Sequence, residues 1–143
     1  MLISTKGRYA LRVMIDLAEH QTEGYIPLKE VAQRQEISEK YLESIIKLLV
    51  RANLLSGLRG KGGGYKLMKS PELYTVGSIL RLTEDSLAPV ACLEPGVAAC
   101  AKMAECRTFS VWKGLDKVIS NYLDSVTVAD LVKSDTSGDH YVI

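Results

Sequence analysis

The sequence predicts a mainly helical chain with one small β-hairpin. Apolar residues recur at helical spacing through most of the first 52 positions. A glycine-rich run, Gly60-Lys61-Gly62-Gly63-Gly64, then separates two short extended stretches. A second, longer helical stripe follows between residues 108 and 126.

The first helix is expected over Thr5–Glu19, where Tyr9, Leu11, Met14, Ile15, Leu17 and Ala18 make a broad apolar face. Residues 21–25 read as a loop. Pro27 stands where a short second helix, Leu28–Gln35, begins, since a first-turn amide needs no partner. Ser38 can cap a third helix reaching about Ala52, with Leu42, Ile45, Ile46 and Leu49 facing inward. Leu54–Arg59 and Tyr65–Met68 are the expected strands. Thr75 caps a short helix, Val76–Thr83, and an alanine-rich loop with Pro89, Pro95 and Gly96 spans 88–106.

Thr108–Val126 reads as one long amphipathic helix. Phe109, Trp112, Leu115, Ile119, Tyr122 and Val126 recur every three or four residues, with Val111, Val118 and Leu123 beside them. A head of about 80 residues cannot cover so long a stripe, so pairing with the same helix of a second copy is expected. Thr127 caps a last helix, Val128–Lys133, and a polar tail follows. The expected organisation is a head (1–83), a cysteine-bearing loop (84–107), a dimerisation helix with a packing helix (108–133), and a tail (134–143).

The 143 residues, 47% apolar and 24% charged, suit one folded domain and argue against extensive disorder. No apolar run approaches the roughly 18–20 residues of a membrane span. The first residues carry no apolar signal segment, so a cytoplasmic location is expected. Charge is unevenly placed. Residues 1–90 hold thirteen Lys/Arg against ten Asp/Glu, and residues 91–143 hold five against seven. From Lys47 to Lys69 there are six basic residues and no acidic one, which suits a polyanion, although a solvated basic face would look the same.

Helix, tight turn, helix and basic hairpin is the order of a winged helix-turn-helix. Small Ala32 lets its two helices cross closely, while Glu36 takes the turn position where a glycine would relieve strain. The third helix offers Ser38, Glu39, Lys40, Tyr41 and Glu43 to a major groove and Lys47 and Arg51 to phosphates. Arg59 and Lys61 stand at the hairpin tip, where an arginine can read minor-groove width. The glycine run is no phosphate loop: Gly62 replaces the Ser/Thr and a strand replaces the helix. Catalysis is not expected, because His20 and His140 are the only histidines and neither has a nucleophile partner.

Cys92, Cys100 and Cys106 are the only cysteines. An odd, clustered set without a secretion signal points to a metal, an iron–sulfur cluster or redox sensing, and not to a disulfide framework.

Three motifs, Ser4-Thr-Lys-Gly-Arg-Tyr-Ala10, Ile37-Ser-Glu-Lys-Tyr-Leu-Glu43 and Arg59-Gly-Lys-Gly-Gly-Gly-Tyr65, resemble the winged-helix repressors typified by the iron–sulfur regulator IscR. The nitric-oxide sensor NsrR and the cysteine-metabolism repressor CymR are relatives in that family. The resemblance covers nearly the whole chain and implies a homodimeric repressor on a pseudo-palindromic DNA operator. It implies that Tyr41 and Glu43 read bases, that Arg59 is the wing residue, and that Thr5, Lys6 and Arg8 contact the DNA backbone. It further implies that Cys92, Cys100 and Cys106 are thiolate ligands of a 2Fe–2S cluster. Phe109 stands where the family's histidine ligand falls, leaving Glu94, Glu105, a residue across the dimer or a small molecule as the fourth ligand. Zinc, or redox-active thiols without metal, remain alternatives. The final Tyr141-Val142-Ile143 resembles the end of the cysteine-metabolism repressors. That likeness implies a runner-up function: a cofactor-free repressor controlled by cysteine synthase, docked through Ile143.

Overall fold

Ser4 accepts a hydrogen bond from the Gly7 amide at 3.0 Å and so starts the first helix, α1 (Thr5–Glu19). The structure, a computed structural model, describes residues 2–21, 24–98 and 100–134; the expectations placed on residues 135–143, Ile143 among them, lie outside the described residues. Two further helices follow, α2 (Leu28–Gln35) and α3 (Glu39–Arg51), the latter capped by the Ser38 hydroxyl on the Tyr41 amide. Next come β1 (Leu55–Leu58) and β2 (Gly64–Leu67), paired antiparallel with Leu55 opposite Leu67 and Leu58 opposite Gly64. A 3₁₀ turn at Pro71–Leu73 leads into α4 (Val76–Thr83), which Thr75 caps.

The long loop is not featureless: it holds 3₁₀ turns at Ala91–Leu93 and Met103–Glu105. After it run α5 (Phe109–Ser125) and α6 (Val128–Ser134). Thr127 and Asp130 cap α6 reciprocally, each side chain accepting from the other's amide.

One core joins these elements. Ala10, Val13, Met14 and Leu17 of α1 pack with Val31 of α2, Leu42, Ile45, Ile46 and Leu49 of α3, Leu55, Tyr74, Ile79 and Val128. The last helix therefore returns to the head and closes it. The hairpin is tied down at its base by one hydroxyl: Tyr74 Oη donates to the Leu54 carbonyl and accepts from the Met68 and Lys69 amides. Ile26 adds a bridge to Tyr65. There Gly64, at φ 145°, passes so close that a Cβ would stand 2.1 Å from the Ile26 carbonyl oxygen.

No residue of α5 is buried, although the helix packs on α4. Phe109, Trp112, Ile119 and Leu123 are half-buried, whereas Val111, Leu115, Val118 and Tyr122 are exposed. The open face is thus rotated away from the centre of the stripe read from the sequence. No helix among the described residues is long and apolar enough to cross a membrane.

Candidate nucleic-acid interface

The turn between α2 and α3 depends on Glu36, which sits in the left-handed region at φ 55° while the Ile37 amide bonds back to the Ala32 carbonyl at 3.1 Å. Exposed Glu36 keeps its side chain in solvent, and the strain of a non-glycine residue there is about 1 kcal/mol. Beneath it lies a latch that the sequence reading missed. Asp16 of α1 is 1% exposed and receives Arg34 Nη2 at 2.7 Å, Arg34 Nε at 3.0 Å and Gln35 Nε2 at 2.9 Å. The hydrogen bond to this carboxylate holds the Arg34 guanidinium above its ordinary pKa against the opposing effect of burial. The available signal was a carboxylate placed on the inward stripe of α1, three residues after Val13 and next to Leu17.

The latch fixes how α2 meets α1, and α3 beyond the turn presents Ser38, Lys40, Tyr41, Glu43, Lys47 and Arg51 to solvent. Tyr41 is not free to swing. Its ring meets Tyr9 edge-on, with centroids 5.8 Å apart and planes at 87°, and Arg12 lies 5.0 Å over that same Tyr9 ring. Arg12 in turn bonds Gln35 through both the side-chain amide and the main-chain carbonyl. The exposed face of α3 is therefore braced against α1.

Lys6 shares one shallow groove with Lys40, Glu43, Ser44, Lys47 and Arg51. A second groove, between α3 and the hairpin, is lined by Lys47, Arg51 and Arg59 around Ile46, Leu58 and Tyr65. Lys47 and Arg51 belong to both, so the basic residues of three separate segments form one continuous surface. Lys61 is exposed at the hairpin tip. Thr5 and Arg8 are exposed on the first turns of α1, where Arg8 Nη2 donates to Thr5 Oγ1 at 3.1 Å. His20 Nδ1 is engaged with the Asp16 carbonyl at 2.9 Å and lies 3.8 Å from the Asp16 carboxylate.

The thiols are dispersed. Cys92 is half-buried, and Cys100 and Cys106 are exposed. Among the described residues no three His, Cys, Asp or Glu side chains come together as a metal site, so the loop in this arrangement does not fit a cluster. Their donor chemistry is the soft, anionic kind that iron and zinc favour. Cys106 stands out: the Thr108 hydroxyl lies 3.5 Å from its sulfur. Hydrogen bonds from that hydroxyl, and then from the Thr108 and Phe109 amides, lower its thiol pKa.

A helix-turn-helix whose second helix stands open beside a basic hairpin defines a winged-helix DNA-binding regulator. The chain belongs to the Rrf2 family: the family model described as "Iron-dependent Transcriptional regulator" matches residues 3–134. It is 36% identical over 134 residues to the HTH-type transcriptional regulator IscR of Erwinia tasmaniensis, covering 94% of this chain and 80% of that protein. IscR of Aliivibrio salmonicida is 36% identical over 132 residues, covering 92% and 77%. Among solved structures, CymR (YrzC), the global cysteine regulator of B. subtilis, superposes with a TM-score of 0.77 at 36% identity, covering 94% of this chain and 98% of CymR. IscR of T. potens gives 0.74 at 36% identity, covering 100% and 94%. Its relatives are transcriptional regulators, and so is this chain; it is not an enzyme.

Proposed function

We propose that the chain is a homodimeric repressor that binds a pseudo-palindromic operator in double-stranded DNA and takes its signal through residues 84–107. The observation that carries this reading is the continuous surface formed by Lys6, Lys40, Glu43, Lys47, Arg51 and Arg59. On it Tyr41 and Glu43, with Ser38 and Lys40, take the place of base readers in the major groove. Thr5, Lys6, Arg8, Lys47 and Lys61 hold phosphates, and Arg59 enters the minor groove beside them. The dimer reading is supported by α5, whose exposed Val111, Leu115, Val118 and Tyr122 follow one another at spacings of four, three and four. Such a seam is 41–65% exposed in one copy and would be covered by the same seam of another. Two heads held this way read half-sites about one helical turn apart.

Selection of binders from a pool of random duplexes tests the core of this reading. Recovery of an inverted repeat supports it; recovery of no consensus overturns it. Sedimentation at increasing ionic strength should give a mass of two chains, and Val118→Asp should give one.

The signal has two forms. The first is a 2Fe–2S cluster at Cys92, Cys100 and Cys106: the family description, iron-dependent, and the three soft donors support it, although the described loop does not bring the thiols together and would have to close around the cluster. Iron and sulfide analysis after anaerobic reconstitution tests it, and protein that holds neither removes it. The alternative is a cofactor-free repressor of cysteine metabolism controlled by cysteine synthase, and the 0.77 superposition on a global cysteine regulator supports its link to cysteine. Calorimetry with cysteine synthase, using the chain with and without Ile143, decides that form: equal heats, or none, end it.

A further inference from the structure

Residues 84–107 and the first turn of α1 are far apart in the sequence, yet they meet at one side chain. Glu84 Oε1 accepts two hydrogen bonds from Ser4, one from the amide at 2.8 Å and one from the hydroxyl at 2.9 Å. The same hydroxyl accepts from the Gly7 amide, so Glu84 fixes the residue that caps α1. Contact between the two segments is close: a Cβ on Gly7 would stand 2.4 Å from Glu84 Oε1 and 3.0 Å from Thr83 Oγ1. On its other side Glu84 is the residue where α4 ends, its amide bonded to the Leu80 carbonyl at 2.9 Å. Leu2, Glu84, Asp85 and Glu94 then line a common groove, so the loop runs on from this contact alongside the N-terminal residues.

A carboxylate so near a phosphate-binding surface repels DNA and by charge alone lowers affinity. Its two bonds to Ser4 are a separate matter, because they set where Thr5, Lys6 and Arg8 stand.

We propose that Glu84 is a positioning residue for DNA binding: through its two hydrogen bonds to Ser4 it holds the first turn of α1 where Thr5, Lys6 and Arg8 meet the phosphate backbone. This rests on the proposed role of those three residues as phosphate contacts. It assigns Glu84 the point at which the loop and the DNA-binding surface are joined.

Three substitutions separate the hydrogen bonds from the charge. Glu84→Gln keeps the accepting oxygen and loses the charge. Glu84→Asp keeps the charge, and the side chain, one methylene shorter, no longer reaches Ser4. Glu84→Ala loses both. The probe is a mixed-sequence DNA duplex of about 30 base pairs, titrated with the full chain over a series of salt concentrations, because phosphate contacts appear in the slope of log affinity against log salt. Circular dichroism confirms that each variant is folded at the assay temperature.

Glu84→Asp is expected to bind about tenfold more weakly, with a salt slope reduced by about one per protomer, and Glu84→Gln to bind no more weakly than the unsubstituted chain. Glu84→Ala should follow Glu84→Asp in slope. If Glu84→Asp binds normally while Glu84→Gln and Glu84→Ala bind more tightly, Glu84 acts by charge alone and the proposal is overturned. An affinity loss with an unchanged slope also overturns it, since a merely structural defect would look that way. Lys6→Ala is measured beside them. A normal slope there overturns the phosphate role of the first turn, and the proposal with it. A reduced slope for Lys6→Ala alone overturns the assignment of Glu84 and leaves that role standing.

Discussion

Replacing Arg34 by methionine should cost about 3 kcal/mol of stability, and the reason lies in which partner is left behind. The substitution keeps the packing volume and removes two hydrogen bonds, at 2.7 and 3.0 Å, from a carboxylate that is 1% exposed. Asp16 then keeps one hydrogen bond, from Gln35 Nε2 at 2.9 Å, with His20 Nδ1 3.8 Å from its Oδ1. Breaking a buried ion pair by removing one member costs roughly 3–5 kcal/mol, because the surviving charge is stranded without water. The Arg34 side chain is 31% exposed, so solvent already shares it, and the expected value falls at the lower end. Out of a total stability of roughly 5–15 kcal/mol this is a large fraction, equivalent to about 10 °C in melting temperature. The double substitution Asp16→Leu with Arg34→Met removes the stranded charge and should recover to within about 1 kcal/mol of the starting chain. Urea unfolding followed by circular dichroism measures both, at one fixed protein concentration because the proposed dimer would contribute to apparent stability. An Arg34→Met chain within about 0.5 kcal/mol of the parent, or a double variant no better than the single one, would refute the argument.

Arg59→Ala should weaken binding to a selected operator by about 1–3 kcal/mol with dimer mass unchanged; an unaltered gel-shift titration at fixed salt removes the wing assignment. Glu43→Ala should lower the ratio of operator to random-sequence affinity, since a carboxylate in the groove discriminates more than it attracts; equal changes on both duplexes would show that Glu43 reads nothing. Thr108→Val should shift the alkylation of Cys106 by iodoacetamide to higher pH, because the hydroxyl that lowers this thiol's pKa is gone. Mass spectrometry across a pH series reads this directly, and superimposable profiles would discard the cause. Arg81 bonds Asp124 at 2.7 Å and holds its carboxyl below the ordinary 3.8. A folded pKa below the unfolded one means that the contribution is complete above about pH 3.8 and is lost as pH falls through the folded value. With both side chains 46% exposed it is worth under about 1 kcal/mol, so Asp124→Asn should lower the urea midpoint slightly at neutral pH and not at all in strong acid. An equal gap at both pH values contradicts this.

What could be read from the sequence was what neighbouring residues decide together. The bounds of α1, α2 and α4 follow from local spacing, and Ser38, Thr75 and Thr127 cap helices because the amides they serve lie three residues on. Strand ends were less legible. β2 begins at Gly64 because Leu58 pairs with it across the hairpin, and a side-chain pattern carries no sign of that backbone approach. The length of α5 was readable, but its open face was not, since that depends on where α4 lies against it. Within the candidate interface, α3 and the hairpin tip declared themselves through exposed polar positions and the basic window. Lys6 was reachable only by resemblance: nothing local says that the start of α1 shares a groove with α3. Asp16 looks like one more helix charge until Arg34 and Gln35 fold over it, and 80 residues separate Ser4 from Glu84.

The Tyr74 hydroxyl makes the hairpin a cantilever. Its root is clamped by three hydrogen bonds to Leu54, Met68 and Lys69. At the free end, Gly60 and Gly62, at φ 87° and 76°, have nothing within 4 Å of where a side chain would begin. Two four-residue strands have little stability of their own, so stiffness in this beam comes from the root and from the bridge of Tyr65 to Ile26. Bending stress on the tip would therefore be carried back to this phenol and to the Ile26–Tyr65 bridge, while Arg59 and Lys61 ride on the compliant end. Arg59 and Lys61 can be exchanged there without disturbing the core, whereas Gly60 and Gly62 are held to glycine by their positive φ and Gly63 by the Leu58 carbonyl, 2.2 Å from where its Cβ would stand, so the chemistry of the tip is open to change while its backbone is not.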